Sequence, residues 1–295
     1  MDKPVAVRTL LGDYPVTLAL KKGELSSPRV SFEFADVKTP STAFKRVVRN
    51  LEFDCAELAI VTFLMAKATG KPLVLLPAVV LARFQHPHLV YNIERGPLAP
   101  GDLAGRRVGT RSYTVTTATW LRGILANDYG VDIDRVKWVT FEEAHVAEFR
   151  DPPSVERAPE GKELMAMLLA GEVDAAILPA VPTDPRLRPL IANPAMAAES
   201  WSRKNRALQI NHMVVVKESL SKSQPDGVRE IYRLLAESKR AAKLPKPGEF
   251  DTHPFGLEAN RRNLEVVIDY VFQQKMIPRR FSVDELFDDV TRKLG

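Results

Sequence analysis

Apolar and polar positions alternate over Val5 to Leu10, which predicts a strand. A second strand is predicted at Val30 to Phe34, where Val30, Phe32 and Phe34 share one face and Ser31 and Glu33 the other. Between them Gly12-Asp13-Tyr14-Pro15 reads as a turn and Val16 to Lys22 as a short helix. Pro40 to Phe44 opens a helix running to about Asn50, with Ser41 or Thr42 near its N-cap. Phe53 to Leu58 predicts a short strand bearing Glu57, then a helix to about Thr69 that Gly70 stops. Apolar runs at Leu73–Leu76, Val79–Phe84 and His88–Ile93 read as further strands.

Pro97, Pro100 and Gly101 break this pattern and mark a domain crossing. A strand at Arg107–Gly109 and a helix from about Tyr113 to Asn127 follow, with Gly130 just beyond the helix end. Val136–Phe141 predicts a strand, 142–158 a long loop, Gly161–Ala170 a helix stopped by Gly171, and Asp174–Pro179 a strand. Pro182, Pro185 and Pro189 punctuate a loop and a helix start, and 192–205 is helical or irregular. Ile210–Lys217 reads as a strand just after a return crossing, followed by helices at Pro225–Ala242, Leu257–Gln274 and Val283–Leu294. Strands alternating with helices predict an α/β protein with mainly parallel sheets. The two crossings predict a discontinuous lobe (1–97 and 205–295) and an inserted lobe (98–204). A ligand is then expected in the cleft between them, near the carboxyl ends of strands.

The start of the Tyr113–Asn127 helix gathers Thr110, Ser112, Tyr113, Thr114, Thr116 and Thr117, with Arg111 and Arg122 nearby. The first N–H groups of a helix lack intrahelical partners, and the dipole favours negative charge there. The turn is therefore a candidate carboxylate grip. The same pattern also fits an ordinary well-capped α/β turn.

The chain has 295 residues and a net charge of +5, with basic residues scattered among acidic ones. That distribution points to an anionic small ligand more than to nucleic acid. Cys55 is the single cysteine, so no intrachain disulfide forms, and its apolar setting reads as packing. No run approaches the ~20 apolar residues of a membrane span, and the opening residues look like a strand and not a signal peptide. The expectation is a cytoplasmic protein with no membrane partner; homo-oligomer formation stays open. The sequence holds no His-x-x-x-His or Cys-x-x-Cys pair, so no tightly bound metal and no cofactor are expected. His86-Pro87-His88 leaves a weakly bound divalent ion open.

Asp102 to Gly109 and Gly161 to Ala176 resemble segments of the two-lobed type II periplasmic-binding-protein fold. Phe53-Asp-Cys-Ala-Glu-Leu-Ala, Arg83-Phe-Gln-His, Tyr113 to Gly130, Ile210-Asn-His-Met-Val-Val and Gly256 to Glu265 resemble, in order and spacing, the 4,5-dihydroxyphthalate decarboxylase family. The chain departs from the family's pattern at Cys55-Ala56 and at Gln85. The resemblance implies non-oxidative decarboxylation of a hydroxylated phthalate-type acid, 4,5-dihydroxyphthalate to 3,4-dihydroxybenzoate. Such a site needs cations for the carboxylates, an acceptor at the phenols and an acid near the ring carbon. Arg83, Arg111 and Arg122 are the candidate cations, with Thr110, Ser112, Tyr113, Thr116, Thr117 and Asn211 as further binding residues. Glu57 is expected to orient a phenol hydroxyl, His212 to donate the proton, and His86 to be the alternative acid. The partner is then a small aromatic carboxylate. A solute-binding protein that captures such an acid without turnover is the rival reading. A regulator's ligand-sensing domain is less favoured, because no helix-turn-helix is visible.

Overall fold

In the computed structural model, which describes residues 3–295, Val5–Leu10 lies between two parallel neighbours. It pairs with Val30–Phe34 on one side and with Cys55–Ala59 on the other. Ile210–Lys217 enters antiparallel between Cys55–Ala59 and Leu73–Ala82, completing a five-stranded sheet. Cys55–Ala59 is buried at every position, as its unbroken apolar run with one carboxylate requires. The helices Pro15–Lys21 and Pro225–Ala241 contribute Val16, Leu20, Ile231 and Leu235 to a core shared with Val7, Val214 and Val216.

Leu73–Ala82 is one ten-residue strand although Pro77 interrupts it, where the sequence pattern predicted two. Val79 pairs with Met213 and Leu75 with Val215, so Leu76, Pro77 and Ala78 lie opposite Val214 alone. The strand is also at the sheet edge. Edges and bulges are where a residue without an N–H is tolerated.

The second sheet has six strands, in the order Leu187–Pro189, Leu89–Asn92, Ala175–Ile177, Arg107–Thr110, Lys137–Thr140 and Val155–Arg157. The last four run parallel to one another, and the first three alternate antiparallel. Both sheets are thus mixed, because one strand in each, Ile210–Lys217 in the first and Leu89–Asn92 in the second, runs against its neighbours. Met167 and Leu168 of the helix Leu164–Ala170 pack into a core with Val90, Val139 and Ala176, while Met165 stays exposed.

The chain divides into two units, one holding the chain up to Arg83 with Ile210–Asp269 and Ile277–Gly295, the other Phe84–Gln209 with Tyr270–Met276. The first crossing therefore falls at Arg83/Phe84 and not near residue 97: Leu89–Asn92 hydrogen-bonds to strands of the second sheet. The return is at Gln209/Ile210, and a short excursion at 270–276, which no break in the sequence signals, adds two further crossings. The expected helix at 283–294 is instead two 3-10 turns, Val283–Leu286 and Thr291–Lys293. Asp288 accounts for the break, because its side chain accepts from the Val290 and Thr291 N–H groups and replaces helical bonds. Among the described residues no helix is long and apolar enough to cross a membrane.

Gly123 sits inside the helix Thr116–Tyr129, where a Cβ would collide with the Tyr270 ring. That ring is wedged edge-on against Trp120 at 5.5 Å, and its hydroxyl accepts from Trp201 Nε1 at 3.2 Å. An exposed helical Gly→Ala change gains about 1 kcal/mol. Here overpacking wins, and Gly123→Ala is expected to destabilise by about 1–3 kcal/mol, read as a lower urea midpoint. A raised midpoint would show that Tyr270 does not press on this helix.

Candidate functional site

Within the first unit, polar groups collect at one end of the sheet. Gly12 and Tyr14 follow Val5–Leu10, Glu57 is the middle residue of Cys55–Ala59, and Arg83 follows Leu73–Ala82. These three strands run the same way, so their carboxyl ends coincide; His212 comes from the opposite-running strand near its start. His212 stands opposite Ala59 and Val214 opposite Glu57. Glu57 and His212 are therefore diagonal neighbours on one face, within reach of long side chains.

Glu57 is fully buried and accepts three hydrogen bonds. Gly12 N–H donates to Oε2 at 2.5 Å, Tyr14 O–H to Oε1 at 2.8 Å, and His212 Nδ1 lies 2.9 Å from the same Oε1. A carboxylate can only accept, so Nδ1 carries the hydrogen and Nε2 is the ring nitrogen left to face a reactant. Phe44 meets the imidazole edge-on at 5.0 Å. The His212 side chain keeps 14% exposure while that of Glu57 has none. The sequence led us to expect Glu57 at a phenol hydroxyl; in the structure its carboxylate is sealed from solvent and bonded to the His212 ring.

The turn before Pro15–Lys21 holds Tyr14 in place. The Thr17 hydroxyl donates to Gly12 O at 2.6 Å and accepts the Tyr14 N–H at 3.0 Å. A side chain at Gly12 would strike the Tyr14 ring, with a Cβ only 2.7 Å from it. Burial, the Glu57 charge and the hydrogen bond to it push the Tyr14 pKa well above its ordinary value, with Arg83 opposing. Burial in turn lowers the Arg83 pKa. Asn211 is buried immediately before His212.

Thr110, Arg111, Ser112, Tyr113, Thr116, Thr117 and Arg122 lie in the second unit, as does His86. The helix there begins at Thr116, after Val115, with no side-chain cap, and carries no acidic residue in its first turn. Thr110 Oγ1, Thr116 Oγ1 and Arg122 Nη1 are buried and have no hydrogen-bond partner. Orphaned polar atoms of this kind are costly and call for an explanation.

Arg122 is fully buried, so it offers no surface to a ligand, contrary to the direct clamp expected of it. Its Nε donates to Gln274 Oε1 and its Nη2 to the Tyr113 carbonyl, each at 2.7 Å. The guanidinium stacks 3.8 Å from the Tyr113 ring centroid. Burial lowers its pKa, with Tyr113 and Asp151 opposing. Arg122 thus braces the turn from below. Arg111 pairs with Glu142 at 3.3 Å, and Thr117 is half-buried.

His86 sits in a 3-10 turn, 6.5 Å from Trp201, with its buried Nδ1 lacking a partner. It belongs to a different unit from Glu57 and His212. Burial, opposed by Asp128, lowers its pKa to about 4, so it is neutral near pH 7 and a poor proton reservoir. Gln85 is buried beside it, its N–H donating to Gln209 Oε1 at 2.6 Å. Among the described residues, no group of three or more His, Cys, Asp or Glu side chains is placed to hold a metal ion. Cys55 is buried, with its thiol pushed up to about 12.

Tyr14 is the member of this hydrogen-bonded cluster that sequence reasoning missed. A glycine-containing turn directly after a strand was a usable signal, since ligand-facing groups gather at strand carboxyl ends. Nothing local marked Gln274 as the partner of Arg122.

No family model matches the chain. A 4,5-dihydroxyphthalate decarboxylase of Pseudomonas putida is 30% identical over 206 residues, covering 65% of this chain and 80% of that protein. A protein of the same name from Comamonas testosteroni is 26% identical over 234 residues, covering 73% and 69%. Among solved structures, the periplasmic aliphatic sulphonate binding protein of Escherichia coli superposes with a TM-score of 0.61 at 14% identity, covering 97% of this chain and 98% of that one. That likeness shows the fold, the two-lobed α/β architecture of periplasmic solute-binding proteins, and leaves the activity to other observations.

The depressed His86 pKa predicts acid sensitivity. An unfolded histidine protonates near 6.5 and the folded one near 4, so below about pH 6.5 the unfolded state binds more protons and stability falls. Between pH 7 and pH 5 the loss is roughly 2 kcal/mol. Urea unfolding at both pH values should show a loss smaller by about that amount in His86→Gln than in the unsubstituted chain. Equal losses would mean that His86 is not held neutral by burial.

Proposed function

Because this chain belongs to the 4,5-dihydroxyphthalate decarboxylase family, we propose that it converts 4,5-dihydroxyphthalate to 3,4-dihydroxybenzoate and CO2. The observation that carries the chemistry is the His212 imidazole fixed through Nδ1 by a buried carboxylate. Each ring carboxylate of the substrate has a hydroxyl para to it, and an ionised phenol pushes electron density to the carbon bearing the carboxylate. The protonated His212 gives its Nε2 hydrogen to that carbon. The bond to the carboxylate then breaks, its electron pair returns to the ring, and CO2 leaves. Solvent reprotonates the imidazole, so no oxidant or reductant enters the balance. Glu57 stabilises the imidazolium and sets the ring's direction. Arg83, half-buried at the same end of the sheet, is the group in the first unit suited to a substrate carboxylate.

In the second unit, the turn from Thr110 to Thr117 is a carboxylate-binding element in its own right. Its uncapped helix start and its orphaned hydroxyls support this. Thr117→Val should weaken binding of 4,5-dihydroxyphthalate by about 1–3 kcal/mol in calorimetry. An unchanged dissociation constant would remove Thr117 from the site.

Likeness to a sulphonate-binding protein favours a second reading, ligand capture without turnover. Incubation with 4,5-dihydroxyphthalate separates the two. The decarboxylase releases one CO2 per 3,4-dihydroxybenzoate formed, whereas tight binding with no CO2 establishes the binding protein. His212→Ala should lower kcat by roughly 10²–10⁴-fold with far less change in substrate affinity. Loss of affinity with turnover intact at saturation would make His212 a clamp and not the acid.

A further inference from the structure

We propose that Tyr14 is a positioning residue of the decarboxylation, one that locks the Glu57 carboxylate so that His212 presents Nε2 to the substrate. The proposal rests on the reading of His212 as the acid. Tyr14 O–H and His212 Nδ1 converge on one oxygen, Oε1 of Glu57, at 2.8 and 2.9 Å. Gly12 N–H occupies the other oxygen. The terminal torsion of a glutamate is intrinsically broad, so donors and not rotamer preference must set the carboxylate plane. With both oxygens engaged, the carboxylate cannot turn away from the imidazole.

Tyr14 is suited to this task and to no other step. Its hydroxyl is already spent on Glu57, so it does not deliver a proton to a ring carbon. Burial and the Glu57 charge keep the phenol protonated, with Arg83 and Asp13 the other charged groups acting on it. It therefore stays a donor to Glu57 while His212 gains and loses its proton. The Gly12 backbone admits the ring because position 12 has no side chain, and Thr17 fixes the turn from its other side.

Tyr14→Phe removes the donor and keeps the ring against Gly12. In steady-state decarboxylation of 4,5-dihydroxyphthalate the variant should lose about tenfold to a hundredfold in kcat, the scale of one hydrogen bond to a charged group. KM should stay within about twofold, because the hydroxyl that the variant removes is bonded to Glu57. A second readout does not require turnover. In two-bond 1H–15N correlation spectra, with the His212 signals identified by their loss in His212→Gln, the unsubstituted chain should show the Nδ1–H tautomer. Tyr14→Phe should shift that ring towards the Nε2–H form. Unchanged kcat, or a kcat loss with the tautomer unchanged, overturns the positioning role. If the unsubstituted chain releases no CO2, the decarboxylase reading fails, and the tautomer comparison alone still decides whether Tyr14 positions His212.

Discussion

A carboxylate sealed inside an apolar sheet costs several kcal/mol unless donors meet it, and Glu57 is such a group. Its donors come from residues 45, 43 and 155 positions away in the chain: Gly12, Tyr14 and His212. Meeting them requires the strands Val5–Leu10, Cys55–Ala59 and Ile210–Lys217 to stand side by side, and the sheet has them in that order. The return of the chain from the second unit into the middle of the first sheet thus delivers the histidine to its carboxylate. A chain that folded its first eighty residues alone would leave Glu57 without its imidazole.

This constraint explains which parts of the site were legible in the sequence. Glu57 was visible as a charged residue in an otherwise apolar strand, and His212 as a titratable residue at the start of another. Their pairing was not visible, because strand alternation states a face and not a neighbour. Without the neighbour, Glu57 looked like a group that meets substrate; in the structure it is completely buried and bonded to the His212 ring. Tyr14 hid in a turn whose Gly and Pro account for its shape unaided. Arg122 was expected to hold a carboxylate, yet Gln274, from a remote segment, takes its Nε hydrogen bond. The overall α/β class followed from alternating strand and helix patterns. The first crossing was misplaced because prolines at 97 and 100 mark a loop, whereas membership of a sheet is decided by hydrogen bonds at 89–92.

The scaffold and the chemistry are separable. A 14% identical sulphonate-binding protein shares the architecture, and a strand-end anion site needs little more than free N–H groups and hydroxyls. What that requirement does not ask for is a buried carboxylate holding an imidazole with a phenol as second donor. Proton transfer demands such an arrangement, because a misdirected imidazole forfeits much of the rate that general acid catalysis supplies. The family relationship and the Glu57–His212 geometry are independent observations that support the same reaction class.

Chemical rescue tests the central role of His212 most directly. CO2 release from 4,5-dihydroxyphthalate would be followed with His212→Gly in buffers of increasing imidazole concentration. The account predicts a nearly inactive variant whose rate climbs with imidazolium, because the added acid replaces the missing ring beside Glu57. A variant that binds substrate normally and stays silent at every imidazole concentration, or one that turns over at full rate without imidazole, would contradict it.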